Sequence, residues 1–488
     1  MASRPRPSDP AAIVALLSGP GRSDVARFLI RQRWFAAKSR GVQSLGVIDW
    51  GVLDAAGPLV LLLLAIDGER YYVPIAVSAG APPEAALSRV GAGAVVDAHD
   101  DPRFGPCVRA AIAAGRDVEG HPGRFRFRPT PGWVFPPHRA DGAVPRRLRG
   151  EQSNTSVVLD GLVLKSLRRP PSGVSPDLEI PRFLTTRCTF RHAPQVAGSV
   201  EYEGPGGAAT LGVLQEFVPN VGDGWSHVVS TLAGRDPMLA RPSDPLVEDI
   251  GRLGAVTGQL HAALASDDTD PDFRPEPITK DDVARWRDDL LRDFVAADLS
   301  DRPAETTAGA PTPLARTLAA LEALAGTTSK IRIHGDYHLG QVLKTQDGFV
   351  VIDFEGEPGR PPAERRRKQP ALRDVAGMLR SLDYAAHAVA FGRPEPERTA
   401  VLGALGAWEG RARRGFLAAY HAAAASSRVA LVPATLAALE RACAPFELQK
   451  ACYEVRYERD NRPDWVAIPR AGINRILGRL RAQDPRSG

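Results

Sequence analysis

The chain contains 488 residues, of which 43% are hydrophobic and 24% are charged. This composition excludes the disordered and fibrous classes, and the length suits about two to four domains of ordinary size. The formal net charge of +5 is too small for a chain of this length to indicate a nucleic-acid or membrane partner. Only seven of the 62 basic residues are lysines, so a lysine within an apolar segment indicates a role that arginine does not fill equally well.

Cysteines and apolar runs indicate the cellular compartment. The four cysteines show no metal-ligand spacing such as C-x-x-C, and a chain of this size does not need disulfides for stability. The longest uncharged apolar run covers residues 59–66, well short of the roughly 20 residues that a membrane span requires. The N-terminus also lacks the basic-then-apolar pattern of a signal peptide. We therefore expect a cytoplasmic protein.

The first hundred residues alternate between helix-like and strand-like patterns. Apolar spacing predicts a helix over residues 24–35, strands over 44–53, 58–66 and 70–77, and a helix near 82–90. Together these elements predict a small α+β unit.

A Pro-, Gly- and Arg-rich passage at residues 122–149 is expected to form a connection or a set of short strands. A polar loop at residues 150–156 follows it. Apolar residues 157–159, an Asp160-Gly161 turn and apolar residues 162–167 come next. An Asp-Gly pair between two apolar runs predicts a β-hairpin.

Helical patterns dominate from about residue 245 onward. The clearest predicted helices cover residues 253–265, 281–297, 313–325, 372–390 and 403–427. A mainly β segment followed by a mainly helical one predicts an α+β protein with two lobes.

The densest cluster of chemical groups lies at residues 333–342 and is followed by an apolar strand, 349–352, that ends at Asp353. Phosphoryl transfer needs a carboxylate that orients the attacking hydroxyl and oxygen ligands that hold Mg²⁺ against the nucleotide phosphates. We therefore interpret Asp336 as the catalytic base, Asp353 as the principal metal ligand and Gln341 as the second metal ligand. The alternative is that these residues only form turns by bonding their own backbone.

Two neighbouring residues have less specific interpretations. His338 is a catalytic candidate that contacts a phosphate, or else a residue that fixes the loop. Glu355, two residues after Asp353, is a further candidate metal ligand, and the sequence leaves open whether it touches the ion.

The pattern H-G-D-x-H-x-x-Q followed by D-F-E-G-E-P resembles the aminoglycoside phosphotransferase-like kinases, which are related to protein kinases. The match to bacterial maltokinases is closer, through segments 150–156, 214–220, 222–225, 373–384 and 453–463, and residues 32–35 resemble the N-terminal cap of that family. One departure is Gln341, where the wider superfamily commonly has Asn.

The resemblance implies a bilobal protein-kinase-like fold. Residues 1–100 would form a cap subdomain, 101–218 an intermediate region and mainly β N-lobe with the phosphate loop and hinge, and 219–488 a helical C-lobe with the catalytic and metal motifs. It also implies ATP and Mg²⁺ as cofactors.

The resemblance assigns nucleotide contacts to residues that pattern alone leaves without a role. Lys165 would bind the α- and β-phosphates, and Glu179 would pair with it. Residues Ser153, Asn154 and Thr155 would cover the phosphates, and the hinge residues Gln215, Glu216, Phe217 and Val218 would bind adenine through backbone groups.

A sugar acceptor needs polar side chains for adjacent hydroxyls and an aromatic face for the ring. The candidate sugar-binding residues are His334, Arg373, Tyr384, Tyr453, Glu454, Tyr457 and Asn461, with Trp465 nearby. Tyr453, Tyr457 and Asn461 share one helical face. Core packing is the alternative for Tyr384, and for Arg373 the alternative is a buried pair with Asp374 that holds the catalytic loop.

The resemblance implies a kinase that phosphorylates the anomeric hydroxyl of maltose to give maltose 1-phosphate for α-glucan synthesis, with trehalose synthase as a functional partner. One alternative is the same chemistry on glucosamine or an aminoglycoside, for which Glu355 and Glu357 would supply carboxylates. A second alternative is an inactive kinase-like binding scaffold. The sequence leaves open the acceptor, the role of the cap and the oligomeric state.

Overall fold

A computed structural model describes residues 9–36, 38, 41–80, 82–91, 93–136, 144–148, 153–235, 243–297 and 312–482. It divides the chain into two compact units: Met1–Thr186 with Pro194–Phe217, and Arg187–Ala193 with Val218–Gly488. The first unit is mainly β and the second mainly helical, which confirms the predicted α+β kinase-like fold class. The further boundary predicted near residue 100 stays a prediction.

The first unit begins with a six-stranded sheet and two helices. Its elements are α1 (Pro10–Ser18), α2 (Arg22–Arg31), β1 (Leu45–Asp54), β2 (Leu59–Ile66), β3 (Glu69–Tyr72), β4 (Ile75–Ser78), β5 (Ala86–Val90) and β6 (Gly93–Asp97). The strand order is β1-β2-β4-β6-β5, with β3 also paired to β2. The apolar run of β2 lies at the centre of this sheet, which explains why almost every one of its residues is buried.

Two local predictions differ from the structure in this region. The helix predicted near residues 82–90 is wrong: a short 3₁₀ turn at Pro83–Ala85 leads into β5, which pairs antiparallel with β6. The strand predicted over 70–77 is two strands, β3 and β4. Proline has no backbone N–H to donate to a ladder, and Pro74 lies between the two strands.

A seven-stranded sheet completes the first unit. Its elements are α3 (Phe104–Ala113), β7 (Asp117–Glu119), β8 (Arg124–Pro129), β9 (Arg146–Arg147), β10 (Thr155–Leu159), β11 (Leu162–Ser166), α4 (Pro176–Arg187, ending at the unit boundary), β12 (Val196–Glu203) and β13 (Ala209–Glu216). The order is β7-β8-β12-β13-β11-β10-β9. The passage at 122–149 therefore contributes short strands, while residues 137–143 and 149–152 lie outside the described residues.

The predicted hairpin is confirmed as β10 and β11, in which Leu159 pairs with Leu162. Asp160 has φ of 47° and Gly161 has φ of 75°. Positive φ at both central residues is the type I′ turn that matches the twist of two antiparallel strands. This hairpin carries Lys165 near the end of β11.

The second unit consists of helices with short strand pairs. Its elements are α5 (Gly224–Ala233), α6 (Pro245–Leu264), β14 (Glu276–Pro277), α7 (Lys280–Ala296), α8 (Pro313–Glu322), β15 (Ser329–Ile331), β16 (Val342–Lys344), β17 (Phe349–Val351), α9 (Pro362–Arg365), β18 (Gln369–Pro370), α10 (Leu372–Phe391), α11 (Glu395–Ala424), α12 (Leu436–Asn461) and α13 (Ala467–Ala482). The five predicted helices correspond to α6, α7, α8, α10 and α11. Helices α6 and α11 each begin eight residues before the predicted start, and the other ends differ by three residues or fewer.

Close helix packing forms the centre of this unit. A Cβ at Gly254 on α6 would lie 2.2 Å from the carbonyl oxygen of Phe416 on α11, so only glycine lets the two helices approach this closely. Among the described residues, no helix has both the length and the apolar character needed to cross a membrane.

Candidate active site

Helix α10 holds the segment that contains Asp336. The buried carboxylate of Asp374 accepts hydrogen bonds from the backbone N–H of His334 at 2.8 Å and of Gly335 at 2.9 Å, and from Nε2 of His261 at 3.1 Å. One turn further along, a Cβ at Gly377 would lie 2.5 Å from the carbonyl oxygen of Tyr337. A buried carboxylate and a glycine therefore fix the backbone on either side of Asp336.

The predicted buried pair between Arg373 and Asp374 is wrong. The guanidinium of Arg373 donates to the side-chain oxygens of Gln369 and Gln449, at 3.0 Å each, and lies over the ring of Phe446. The side chains of Arg373 and Asp374 point in different directions from α10, because successive residues of a helix are about 100° apart around its axis. Of these two residues, Asp374 is the one that holds the catalytic loop.

Asp336 lies in a small network of charges. Its Oδ1 atom is 3.5 Å from Nζ of Lys450, and the same ammonium group is 3.4 Å from Oε1 of Glu357. Glu357 also accepts a hydrogen bond from Nε of Arg360 at 2.6 Å. Although burial opposes the shift, the charges of Glu357, Asp336 and Glu454 raise the pKa of Lys450 to about 12. The cation beside Asp336 therefore stays charged at neutral pH.

The two histidines of the motif serve the loop. Nδ1 of His338 accepts a hydrogen bond from the backbone N–H of Gly340 at 3.0 Å, and Nε2 is 3.9 Å from Oδ2 of Asp336. Burial lowers the pKa of His338, which favours the neutral ring. The loop-fixing contact is thus present, and a catalytic or phosphate contact of His338 stays a prediction.

His334 is not placed for the predicted sugar contact. Its side chain is buried, and Nε2 lies 2.9 Å from the carbonyl oxygen of Ile352. The ring therefore joins the catalytic loop to the end of β17. This is a structural role, and no surface of the ring is left for an acceptor.

A two-stranded hairpin brings the predicted metal ligands together. Strand β16 pairs with β17, and the backbone N–H of Ile352 donates to the carbonyl oxygen of Gln341 at 3.0 Å. Gln341 and Asp353 therefore flank the same end of the hairpin. Asp353 has φ of 66° and, unlike Asp160, is not part of a hairpin turn, so this left-handed conformation stores strain of a kind common at functional sites.

The donor set fits Mg²⁺. One carboxylate and one amide oxygen are hard ligands, and Mg²⁺ commonly takes one or two protein carboxylates together with water and substrate phosphates. Within the described part of the chain, no group of three or more His, Cys, Asp or Glu side chains is arranged to hold a metal ion by itself. The carboxyl group of Glu355 stays a candidate, and its backbone carbonyl accepts from Arg365.

A cavity of about 730 Å³ opens beside Asp336 within the second unit. Five aromatic side chains line it: Trp225, Tyr384, Tyr453, Tyr457 and Trp465. The rings of Tyr453 and Tyr457 stack with centroids 6.3 Å apart on one face of α12, and Tyr457 is 46% exposed. Aromatic faces next to polar groups form a suitable surface for a sugar ring.

The charged lining of this cavity is mainly acidic. Among the described residues, the carboxylates of Asp223, Asp336, Glu357, Glu454 and Glu458 face the cations of Lys450 and Arg462. Two of the carboxylates are fixed by arginine: Glu454 accepts from Arg380, and Glu458 accepts two hydrogen bonds from Arg462. Burial raises the pKa of Glu454, against the effect of Arg380.

Four of the seven predicted sugar-binding residues line this cavity: Tyr384, Tyr453, Glu454 and Tyr457. Tyr384 is also a packing residue, since its buried hydroxyl donates to Glu458 at 3.2 Å. The other three lie elsewhere. His334 holds the loop, Arg373 lines a separate cavity, and the amide of Asn461 donates to the backbone carbonyl of Tyr457 near the end of α12.

In the first unit, Lys165 lies beside the carboxylate of Asp177, which no sequence motif marks. Nζ of Lys165 is 2.7 Å from Oδ2 of Asp177, and both side chains are buried. Glu179 lies in the same first turn of α4 and is also buried. Acidic residues are favoured at a helix N-terminus by the helix dipole. The structure thus adds Asp177 to the predicted pair, and the role of Glu179 stays a prediction.

The side chain of Thr155 is used within the fold. Its Oγ1 accepts a hydrogen bond at 2.8 Å from Nε of Arg168, whose guanidinium also pairs with Asp97 and lies over the ring of Trp34. Arg168 is fully buried. The Thr155 hydroxyl thus has a structural bond, and the predicted phosphate contact of Thr155 stays a prediction. Asn154 is buried and Ser153 exposed, and their phosphate contacts stay predictions.

The predicted hinge lies at the boundary of the two units, which falls between Phe217 and Val218. Gln215 pairs with Val163 of β11. The backbone N–H of Glu216 donates to Gln195, and that of Phe217 donates to Gly161, each at 2.9 Å. These two donors are engaged inside the first unit, so neither is positioned to bond adenine as it stands.

Several residues of the candidate site carry no strong sequence signal. Asp177 belongs to a segment that has no catalytic pattern. Trp225 lies in segment 222–225, which contributes to the family resemblance but does not by itself indicate a sugar contact. Lys450 is different, because it is one of only seven lysines and is followed by the apolar residues Ala451 and Cys452 of α12. That scarcity is a signal that could have identified it.

The chain is similar to curated proteins over most of its length. It is 29% identical over 436 residues to a glucosamine kinase of Streptacidiphilus jiangxiensis, covering 86% of this chain and 92% of that protein. It is 30% identical over 346 residues to a glucosamine kinase of Mycolicibacterium smegmatis (strain ATCC 700084 / mc(2)155), covering 68% of this chain and 79% of that protein.

Solved structures show the same fold. A glucosamine kinase in complex with glucosamine, ADP and inorganic phosphate aligns with a TM-score of 0.64 at 24% sequence identity, and the alignment covers 95% of this chain and 99% of that chain. A second crystal form of a glucosamine kinase aligns with a TM-score of 0.63 at 23% identity, covering 93% of this chain and 99% of that chain.

Two family descriptions match the sequence itself. Residues 28–101 match the maltokinase N-terminal cap domain. Residues 146–420, more than half of the chain, match the phosphotransferase enzyme family. The chain therefore belongs to the phosphotransferase enzyme family and carries a maltokinase-type N-terminal cap domain.

Proposed function

We propose that this protein is an ATP- and Mg²⁺-dependent sugar kinase. The observation that carries the proposal is the position of Asp336, which lies on a loop fixed by Asp374 and borders a cavity with five aromatic side chains. A carboxylate beside an acceptor cavity orients the attacking hydroxyl and accepts its proton. Family membership supports transfer of a phosphoryl group.

The other roles follow from the same chemistry. Gln341 and Asp353 would hold Mg²⁺, with Glu355 as a further candidate, and the bound ion neutralises charge on the phosphates. Lys165, kept in place by Asp177, would bind phosphate oxygens together with Ser153 and Asn154. Backbone groups of residues 215–218 other than the N–H groups of Glu216 and Phe217 would contact adenine. A fixed loop and fixed charges supply catalysis mainly through positioning and electrostatic stabilisation.

We propose an amino sugar, glucosamine, as the acceptor. Five carboxylates and two cations line the cavity, and arginines outside the lining pair with Glu454 and Glu357. Asp223 is the lining carboxylate that has no ion pair among the described residues, and a carboxylate of this kind attracts a cationic acceptor. Two curated relatives that match most of the chain are named glucosamine kinases. Asp223, at the N-terminus of α5, is a candidate partner for the amine because it lines the cavity near Trp225.

Maltose is the second candidate. The match of residues 28–101 to the maltokinase N-terminal cap domain supports it. The stacked rings of Tyr453 and Tyr457 also support it, because two aromatic side chains provide a surface for a second sugar ring. In that case the product would be maltose 1-phosphate, with trehalose synthase as the functional partner in the cytoplasm. An inactive binding scaffold is less well supported, since Asp336, Asp353 and Lys165 are all present.

Phosphate transfer from ATP with Mg²⁺, compared across glucosamine, maltose, glucose and an aminoglycoside, tests the acceptor. Asp223→Asn is the matched variant, because Asn caps a helix as well as Asp does but carries no charge. We expect turnover on glucosamine and a rise in its KM of about 10-fold in the variant, the size of one charge-assisted hydrogen bond. Turnover on maltose alone, unaffected by Asp223→Asn, would replace glucosamine by maltose.

A further inference from the structure

A second cavity lies beside the catalytic loop within the second unit. Its volume is about 290 Å³, near the lower end of the roughly 300–1,000 Å³ common for small-molecule pockets. The segment after Asp353 forms one wall, and α10 and α12 form the others. It lacks Trp225, Tyr457 and Trp465 of the acceptor cavity. Six lining residues are common to both cavities: Asp336, Glu357, Gly359, Gly377, Lys450 and Tyr453.

Arg373 is the central feature of this second cavity. Its guanidinium donates only to amide oxygens, those of Gln369 and Gln449. Phe446 and Trp286 cover its faces, with ring centroids 5.1 and 6.0 Å from the guanidinium carbon. Among the described residues, no carboxylate forms an ion pair with it. Burial, aided by the charge of Arg360, lowers the pKa of Arg373 to about 10, as expected for a cation that lacks a close anion.

Three of the four carboxylates that line the cavity, those of Asp293, Asp336 and Glu357, are already paired. Asp293 lies 2.8 Å from Nη2 of Arg456, and Glu357 is shared between Arg360 and Lys450. The lining of the cavity contains six basic and four acidic side chains among the described residues. Arg373 therefore has no ion-pair partner among the described residues, and Asp289, Glu357 and Asp293 act on its charge only from a longer distance. A buried charge without a close partner is unfavourable.

We propose that this cavity binds a phosphate group, presented by inorganic phosphate or by a phosphate monoester. Arg373 is the principal donor, and Arg456 assists from the rim, where it is 38% exposed. The planar guanidinium matches two phosphate oxygens at once, and it is less strongly hydrated than an ammonium group. The cavity adjoins the proposed acceptor cavity, but Arg373 and Arg456 line only the second cavity. Phosphate binding by these two arginines therefore does not rest on the proposed function.

Calorimetric titration of the full chain with inorganic phosphate tests the site, and a parallel titration with glucose 6-phosphate distinguishes the two sources of the group. Both are repeated with the ATP analogue AMP-PNP present, which occupies any nucleotide site. We expect one phosphate per chain with or without AMP-PNP. Binding should weaken at least 10-fold in Arg373→Gln and several-fold in Arg456→Gln. If glucose 6-phosphate binds more tightly than inorganic phosphate, the ligand is a phosphate monoester. If inorganic phosphate binds more tightly, the ligand is the free anion.

The matched control is Arg411→Gln, which removes an exposed arginine on α11 outside this lining and should bind phosphate as the wild type does. If Arg373→Gln fails to fold, phosphate binding by Arg456→Gln and Arg360→Gln tests the proposal instead. Both side chains are more than a third exposed, so these variants are expected to fold. The proposal is overturned if phosphate does not bind, if AMP-PNP abolishes the binding, or if the variants that fold bind phosphate as tightly as the control.

Discussion

The ammonium group of Lys450 lies 3.5 Å from the carboxylate of Asp336. The two residues are more than a hundred positions apart, and α12 carries the lysine to the catalytic loop. The same ammonium contacts Glu357 at 3.4 Å. A single cation thus lies between two carboxylates on the wall of the acceptor cavity, and it stays charged because those carboxylates raise the pKa of Lys450 to about 12.

Replacing Lys450 by Met should lower kcat at least about 10-fold, since Asp336 and Glu357 would then repel each other and lose their fixed positions. Steady-state kinetics measure the effect. Lys280→Met removes an exposed lysine at the start of α7 and should leave kcat unchanged. Equal kinetics for Lys450→Met and Lys280→Met would show that the contact has no role in turnover.

Substitutions of Asp353 should affect stability and activity differently, because its backbone is in the left-handed conformation. Glycine adopts a φ of 66° without cost, whereas Ala there is strained by about 1 kcal/mol. We expect Asp353→Gly to keep or raise the melting temperature, Asp353→Ala to lower it, and both to abolish Mg²⁺-dependent transfer because the carboxylate is lost. Thermal unfolding and activity are measured together. A Gly variant that melts below the Ala variant would refute the strain argument.

Asp374 should act on kcat through the backbone of the catalytic loop. In Asp374→Asn, the side-chain NH₂ would face one of the N–H donors of His334 and Gly335, which leaves a buried donor unsatisfied and costs about 1–3 kcal/mol. We expect a large loss of kcat, a lower melting temperature and little change in the KM for ATP. Asp347→Asn, at an exposed position, is the control. A selective rise in KM without loss of kcat would instead indicate substrate contact.

Asp282 should make stability depend on pH. It completes a capping box with Thr279 at the start of α7 and lies 2.9 Å from Nζ of Lys330. Although burial opposes the shift, Lys330, Thr279 and Arg285 lower the pKa of Asp282 to about 2. A lowered pKa contributes stability above the unfolded value near 4, and this contribution disappears as the pH falls toward 2.

Asp282→Asn should therefore cost about 2 kcal/mol at pH 7, and its deficit in melting temperature should shrink between pH 5 and pH 3. The neighbouring exposed Asp281 provides the control variant Asp281→Asn. A deficit that is constant with pH would show that the loss comes from packing and not from the charge.

The sequence predicted the main elements well where one local cause dominates. The Asp160-Gly161 turn and the long amphipathic helices depend on neighbours in the chain. The prediction failed at residues 86–90, because the apolar residues there pair with β6, a contact that a helical period does not reveal. Tertiary pairing overrode the local pattern.

The site shows the same division. Asp336, Gln341 and Asp353 lie in one short stretch, so their motif brings them to one hairpin. Lys450 comes from a segment far from Asp336 in the sequence, and only packing brings the two together. Asp177 shares the first turn of α4 with Glu179, and only packing shows that Asp177 contacts Lys165. His334 and Thr155 have suitable chemistry for ligands, yet each is used by a buried hydrogen bond.

The most direct test of the account is the transfer of labelled γ-phosphate from ATP to glucosamine by the wild type and by Asp336→Asn, with Asp347→Asn as the control. The account predicts Mg²⁺-dependent transfer that the control retains and that Asp336→Asn reduces by about 10²-fold or more, as expected for loss of a general base. Equal transfer by Asp336→Asn and the control would contradict the role given to Asp336, and no transfer to any sugar by the wild type would contradict the proposed kinase activity.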